Sequence, residues 1–215
     1  MSLFEGRDLV CLRGGRAVFS GLSFGLPAGG AMLLTGPNGS GKSSLLRLLA
    51  GLIRPAGGEL LWDGAPVLGA LDEHRERVAF LGHLDAVKPV LTLRENLAFW
   101  AGLGGAASTR IEAALARFSL TDLAGVPARL LSAGQKRRLA LARLPLTAAP
   151  LWLLDEPTVG LDRASATALA EAIAAHRAQG GRVIVATHQV LELAEAQTLS
   201  LGDYPGEGVL LEYVW

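Results

Sequence analysis

The chain has 215 residues, half of them hydrophobic, and its 20 lysines and arginines balance 20 aspartates and glutamates. That length makes one domain with an appended subdomain, or a compact two-lobed unit, with ample apolar side chains for a core. Zero formal charge argues against a nucleic-acid partner held by phosphate neutralisation; the lone Cys11 excludes an intramolecular disulfide, suits a reducing compartment and reads as a small core residue.

No secretory signal is expected at the start, because Glu5, Arg7 and Asp8 stand where an apolar segment would be needed. Short strands are predicted over residues 8–12, 19–26 and 31–34, broken at Gly14-Gly15 and at Pro27 with Gly29-Gly30. The longest uncharged run, residues 17–41, is long enough to span a bilayer, but Pro27, Pro37, Asn38 and repeated glycines exclude a membrane helix. Any membrane role must therefore come through a partner.

Gly36-Pro37-Asn38-Gly39-Ser40-Gly41-Lys42-Ser43 follows the third strand and matches G-x-x-x-x-G-K-[ST], a phosphate-binding loop. Its glycines let the backbone turn with N–H groups inward, and the helix predicted over residues 44–52, opening at Ser44, offers its positive end. Lys42 would reach the β- and γ-phosphates, and the Ser43 hydroxyl would take one Mg²⁺ position. A nucleoside phosphate is the implied ligand.

Residues 54–58 form a turn, 59–62 a strand, Asp63-Gly64 a tight-turn pair, 74–77 a polar stretch and 78–81 the next apolar strand. An all-helical insert is then expected over about residues 84–145. Thr92 with Glu95 makes a capping box, and Thr109 with Glu112 opens a second helix with Ile111, Leu115 and Phe118 on one face. Thr121 or Asp122 is a candidate cap for a short third.

Ser132-Ala133-Gly134-Gln135 is again Ser-x-x-Gln, with a first turn almost bare of side chains. On its own residues it reads as an ordinary cap in preference to an anion site. Lys136-Arg137-Arg138 reads as a solvated helix face. Pro145 predicts a kink or early stop in the helix over residues 136–144.

Residues 151–156 read as a buried strand delivering Asp155 and Glu156 at its C-terminal end, where open parallel sheets place their ligands. Asp155 is the Mg²⁺ candidate. Glu156, pointing elsewhere by strand alternation, suits the attacking water. Asp162 caps a helix over residues 163–178, ended by Gly180-Gly181. A strand over residues 182–186 ends at His188, on the same sheet edge as Asp155, where a structural and a catalytic role are both open. Residues 198–201 and 209–214 read as a closing hairpin, with no regulatory domain expected after it.

In this order the motifs resemble the ATP-binding subunits of ABC transporters over nearly the whole length. Gly36 to Ser43 matches Walker A, and Leu151 to Glu156 matches Walker B with its catalytic glutamate. Leu131-Ser132-Ala133-Gly134-Gln135 looks like the signature L-S-G-G-Q with one alanine, which reverses the preference for a plain cap. Gly160-Leu161-Asp162 looks like the D-loop and His188 like the switch histidine.

The resemblance implies an α/β P-loop NTPase (RecA-like) core over residues 1–83 and 146–215, with an N-terminal antiparallel β subdomain and the helical subdomain inserted. It implies ATP with Mg²⁺ and a head-to-tail homodimer. There Ser132, Ala133, Gly134 and Gln135 meet the γ-phosphate held by the other copy's Lys42. Glu156 positions water, and His188 contacts the γ-phosphate. Two positions depart from the family. His83 falls where a Q-loop glutamine contacts the metal, and Arg13 where an aromatic stacks on adenine.

His83, the alanine in the signature, Leu151-Trp152 and the short tail look like the heme-exporter ATPases of cytochrome c maturation. That likeness implies a cytoplasmic ATPase docked on integral membrane permease subunits at the inner membrane, powering heme export or heme-chaperone release. An ATPase for drug, lipid or polysaccharide cargo shares every catalytic residue, and a soluble nontransport ABC ATPase is a further alternative. His74, His83, His176 and His188 form no heme-attachment motif, so no heme and no nucleic acid is expected on this chain.

Overall fold

A computed structural model describes residues 2–104, 109–188, 191 and 193–206. Its first half runs β1 (Leu3–Arg13), β2 (Arg16–Pro27), β3 (Ala31–Thr35), α1 (Lys42–Leu49), β4 (Gly57–Trp62), β5 (Ala65–Pro66), α2 (Leu71–Glu76) and β6 (Val78–Leu81). There follow α3 (Leu93–Gly104), α4 (Thr109–Arg117), α5 (Ala133–Ala142), β7 (Leu151–Asp155), α6 (Arg163–Ala178), β8 (Arg182–Ala186) and β9 (Gln197–Ser200).

The N-terminal strands make an antiparallel sheet in the order β2-β1-β4-β5. Gly14 and Gly15 close its first hairpin with φ of 56° and 76°, the left-handed pair that a two-residue turn requires. Strand β1 starts earlier than expected. Asp8, the predicted first residue, has φ 49° and sits where the pairing register shifts, a bulge within a longer strand.

The second sheet is parallel in the order β6-β7-β8-β3-β9. Asp155 and Leu34 both lie opposite Ala186, so β7, β8 and β3 end level. One sheet edge therefore carries the phosphate loop, both acidic residues and His188.

Side-chain alternation builds a core on each face of this sheet. Leu151, Leu153, Ile184 and Met32 pack with Leu45, Leu46, Leu48 and Leu49 of α1 and with Phe4, Phe19 and Leu22 of the antiparallel sheet. Trp152, Leu154, Val183 and Val185 face the other way, onto Leu169 and Ile173 of α6 and onto Leu139 and Leu141 of α5. Helix α1 is thus clamped between two sheets, each fully buried leucine contributing about 1.5–3 kcal/mol. Cys11 is a buried core residue, and burial pushes its thiol up.

Between β6 and β7 lie α3, α4 and α5 with short 3-10 turns. Glu95 Oε2 accepts from Thr92 N at 2.7 Å, as its capping box requires, and Ile111, Leu115 and Phe118 are buried. Residues 121–123 form a 3-10 turn whose cap position is Leu120, so neither Thr121 nor Asp122 caps an α-helix there. Helix α5 stops at Ala142, ahead of Pro145.

The polar stretch at 74–77 belongs to α2 and its end, with His74 fully buried against Phe4. Strand β9 pairs parallel with β3. The second arm expected for the tail hairpin, residues 209–214, lies outside the described residues.

Candidate active site

The phosphate loop turns on three left-handed glycines, Gly36, Gly39 and Gly41, with φ of 136°, 83° and 102°. Helix α1 begins at Lys42, two residues before the predicted start, so Lys42 and Ser43 belong to its first turn. It ends before the predicted stop because Gly51, at φ 67°, closes it. Gly51 N donates to Leu48 O and Leu52 N to Arg47 O, both at 2.9 Å, the Schellman pattern. Lys42 is buried; its Nζ donates to Gly36 O at 2.7 Å and to Pro37 O at 3.0 Å, folding back over the loop. Burial pulls the Lys42 ammonium below its ordinary pKa, while the Glu156 and Asp155 carboxylates oppose that shift.

Asp155 is buried at the last position of β7. Glu156 lies beyond the strand with φ 47°, so left-handed backbone, not strand alternation, turns it away from Asp155. Its N–H donates to Ala186 O at 2.8 Å, and its Oε2 accepts from His188 N at 3.2 Å. His188 Nε2 stands 3.4 Å from Glu156 Oε1, an ion pair only when the imidazole is protonated.

A cleft of about 590 Å³ brings together Arg13, Asn38, Gly39, Gly41, Lys42, Ser43, Ser44, Asp155, Glu156 and His188. Gly36, Pro37 and Ser40 belong to the same loop without lining it. His83 is exposed just beyond β6 and does not line the cleft either.

The signature residues form a separate hollow of about 230 Å³ with Ser132, Gly134, Gln135, Gly160 and Asp162. The capping box at the start of α5 is complete. Gln135 N donates to Ser132 Oγ at 3.2 Å and Ser132 N to Gln135 Oε1 at 2.8 Å. Ala133 is exposed beside them. Asp162 Oδ1 accepts from Ser165 N at 2.8 Å, capping α6, and its bonds to Ser165 hold the carboxyl below the usual range.

Arg137 corrects the sequence-based picture of a solvated basic face. Its guanidinium is buried among backbone carbonyls, whereas Lys136 and Arg138 are half-buried. The spacing 137, 141 places it on the same face of α5 as buried Leu141, a signal that its charge obscured. Arg143 is likewise buried, donating to Phe80 O at 2.9 Å and lying 4.4 Å over Trp100; burial lowers its pKa to about 10.

The cleft suits a triphosphate: a lysine and a helix N-terminus on one wall, and carboxylates with a histidine on the other. It also suits Mg²⁺. Ser43 and Asp155 are hard oxygen donors, and among the described residues no cluster of three His, Cys, Asp or Glu competes for a metal. A cation held by one or two protein oxygens takes its other ligands from phosphate and water.

A phosphate loop at the end of a parallel strand, an acidic strand end beside it and a bare capped helix tip define an ATP-binding cassette domain. The family model for ABC transporters matches residues 19–159, and the chain belongs to that family. It is 59% identical over 203 residues to the cytochrome c biogenesis ATP-binding export protein CcmA of Rhodospirillum rubrum, covering 94% of this chain and 87% of that one. The protein of the same name from Paramagnetospirillum magneticum is 53% identical, with 94% and 95% covered. A solved ABC-transporter ATP-binding protein from Pyrococcus furiosus superposes with a TM-score of 0.83 at 26% identity, over 94% of this chain and 99% of that one. The chain is an ATP-hydrolysing subunit of an ABC exporter, with the α/β P-loop fold that its motifs imply.

Proposed function

We propose that this ATPase powers a heme-handling step of cytochrome c biogenesis, as the names of its relatives indicate, and that the cleft described above is where it hydrolyses ATP. The observation that carries the catalytic part is the convergence of Lys42, Ser43, Asp155, Glu156 and His188 on one cleft from three separate elements. Lys42 takes the β- and γ-phosphates, exchanging the Gly36 and Pro37 carbonyls for phosphate oxygens. Arg13, at the rim, lies against the base. Ser43 and Asp155 hold Mg²⁺, which when bound neutralises phosphate charge. Glu156 orients and deprotonates the attacking water, and His188 contacts the γ-phosphate.

Ser132, Gly134 and Asp162 face a different hollow from Lys42 within the chain. A second copy packed head to tail would bring its signature to this cleft. The membrane side is supported by exposed apolar residues on and around the helical region, Leu84, Val90, Phe99, Leu103 and Leu130. Among the described residues no helix is long and apolar enough to cross a membrane. A permease docked on that surface would hold the chain at the cytoplasmic face of the inner membrane, with heme contacting the permease and not this chain.

Glu156→Gln tests the chemistry. Glutamine keeps an acceptor for His188 N and loses the base, so turnover falls about 100-fold or more while ATP affinity by calorimetry is retained. Wild-type turnover would remove Glu156 from the mechanism. For the cellular role, deleting the gene should abolish covalent c-type cytochromes, restored by the wild type and not by Glu156→Gln. Unimpaired cytochromes in the deletion strain would refute it.

A further inference from the structure

Arg137 has no part in the chemistry above, yet its side chain makes five hydrogen bonds. Its side chain is 8% exposed. Nη2 donates to Asp155 O at 2.9 Å and Glu156 O at 2.6 Å, and Nε to Pro157 O at 3.4 Å. Nη1 donates to Gly82 O at 3.3 Å and to Asp85 Oδ1 at 2.8 Å. One planar fork therefore holds three consecutive carbonyls, from the last residue of β7 onward, and two acceptors after β6. A guanidinium has the donors and the rigidity for this, whereas an ammonium is a single point of charge.

The two segments differ in what they carry. The first contains Glu156 at φ 47°, a left-handed conformation that a non-glycine residue keeps only when its surroundings enforce it. Bonds to the carbonyls of Asp155, Glu156 and Pro157 fix the peptide planes on both sides of the Glu156 Cα. They thereby fix the direction in which its carboxylate leaves the backbone. The second segment leads into the exposed stretch with Leu84 and Val90. Asp85 is held twice there, by its carboxylate to Arg137 and by its carbonyl to Arg143 Nη1 at 3.2 Å.

We infer that Arg137 is a positioning residue for hydrolysis: it sets the Glu156 carboxylate and ties that setting to the place of Gly82 and Asp85. This rests on Glu156 being the water-positioning group, as proposed above. A push on the 82–90 segment reaches Glu156 through one side chain, with no change at the phosphate loop.

The test uses the full chain with Arg137→Lys and Asp85→Asn, each made in the wild-type and in the Glu156→Gln background. Rates under saturating ATP, KM, ATP affinity by calorimetry and melting temperature are measured for all. Arg137→Lys is expected to lower kcat about 10- to 100-fold, the cost of a misplaced catalytic group, with KM and affinity changed less than about threefold. Asp85→Asn, at the rim, lowers kcat by a smaller factor in the same way. In the Glu156→Gln background neither substitution lowers the residual rate further, because the group they position is gone.

Wild-type kcat in Arg137→Lys, a loss carried equally by ATP affinity, or the same fold loss in the Glu156→Gln background each overturns the inference. Should the lysine variant fail to fold, the Asp85→Asn pair decides by the same comparison. Wild-type turnover by Glu156→Gln alone sinks the assignment of Glu156 and this inference with it. That outcome is distinct from a dead Glu156→Gln beside a silent Arg137→Lys, which overturns the inference alone.

Discussion

Gly41 and Gly39 sit two residues apart in the phosphate loop, and the structure assigns them different costs for a methyl group. Gly41 has φ 102° and ψ 8°, outside the small left-handed well open to L-residues. A Cβ there would lie 2.4 Å from Val18 Cγ1 and 3.3 Å from Phe19 Cδ1. Neither neighbour gives easily, since valine is stiff at χ1 and Phe19 is fully buried. Backbone strain of about 1–3 kcal/mol adds to overpacking of about 1–3 kcal/mol, so Gly41→Ala costs about 2–6 kcal/mol. Gly39 has φ 83° with nothing within 4 Å of its Cβ position, so Gly39→Ala bears the strain alone, about 1–3 kcal/mol. For a chain of this size each kcal/mol lowers the melting temperature by about 2–4 °C. Differential scanning calorimetry should place Gly41→Ala clearly below Gly39→Ala. It should also bind ATP more weakly, because Lys42 follows it directly. Equal melting of the two variants would show that the contact with Val18 does not set the loop's conformation.

Lys42→Ala removes the only lysine among the described residues that line the cleft. One or two charge-assisted bonds to phosphate at about 1.5–3 kcal/mol each predict at least about tenfold weaker ATP binding, and unchanged affinity by calorimetry would contradict the assignment. Ser132→Arg combined with Glu156→Gln should leave a folded monomer that no longer pairs with ATP. A light-scattering mass that still doubles would count against a shared site. Stability should fall as pH drops from 7.5 to 5.5. Burial lowers the pKa of His74 and His176 below the ordinary 6.5. The unfolded chain then takes up their protons first, so the stability present above the ordinary pKa is lost as pH falls towards the folded one. His74→Gln should show a shallower slope of melting temperature against pH, whatever its stability at pH 7.5; an unchanged slope would mean that His74 is not held neutral.

The parts of the fold legible in the sequence are those in which local chemistry dictates residue type at fixed spacing. A phosphate loop needs its glycines and its lysine, a capping box needs Ser132 and Gln135, and a strand buried on both faces needs an apolar run such as 151–154. Pro145 stops α5 because it lacks a donor, a fact carried by one residue. What stayed hidden depends on distant partners. Arg137 is buried because carbonyls 18 to 55 residues away meet it, and nothing in Lys136-Arg137-Arg138 announces them. The left-handed backbone of Glu156 is imposed from β8 and α5, so strand alternation gave the wrong reason for a correct divergence from Asp155. Helix α2 is six residues of mostly polar chain, too short for a periodic pattern, and is organised by His74 Nε2, 2.8 Å from Leu49 O.

The alanine in the signature can be understood from the same contacts. Ala133 is exposed at the first turn of α5. Gly134 is different, since a Cβ there would stand 3.2 Å from the carbonyl oxygen of Gly160, which cannot rotate away as a side chain would. Glycine at 134 therefore eases the close approach of α5 to the loop that ends in Asp162. That approach fixes the N-terminal end of a ten-residue rod whose later turns carry Arg137 and whose C-cap is Arg143. Widening the gap at Gly134 would tilt α5, and the tilt would be felt at the carbonyls around Glu156 before it was felt at the phosphate loop, which α5 does not hold.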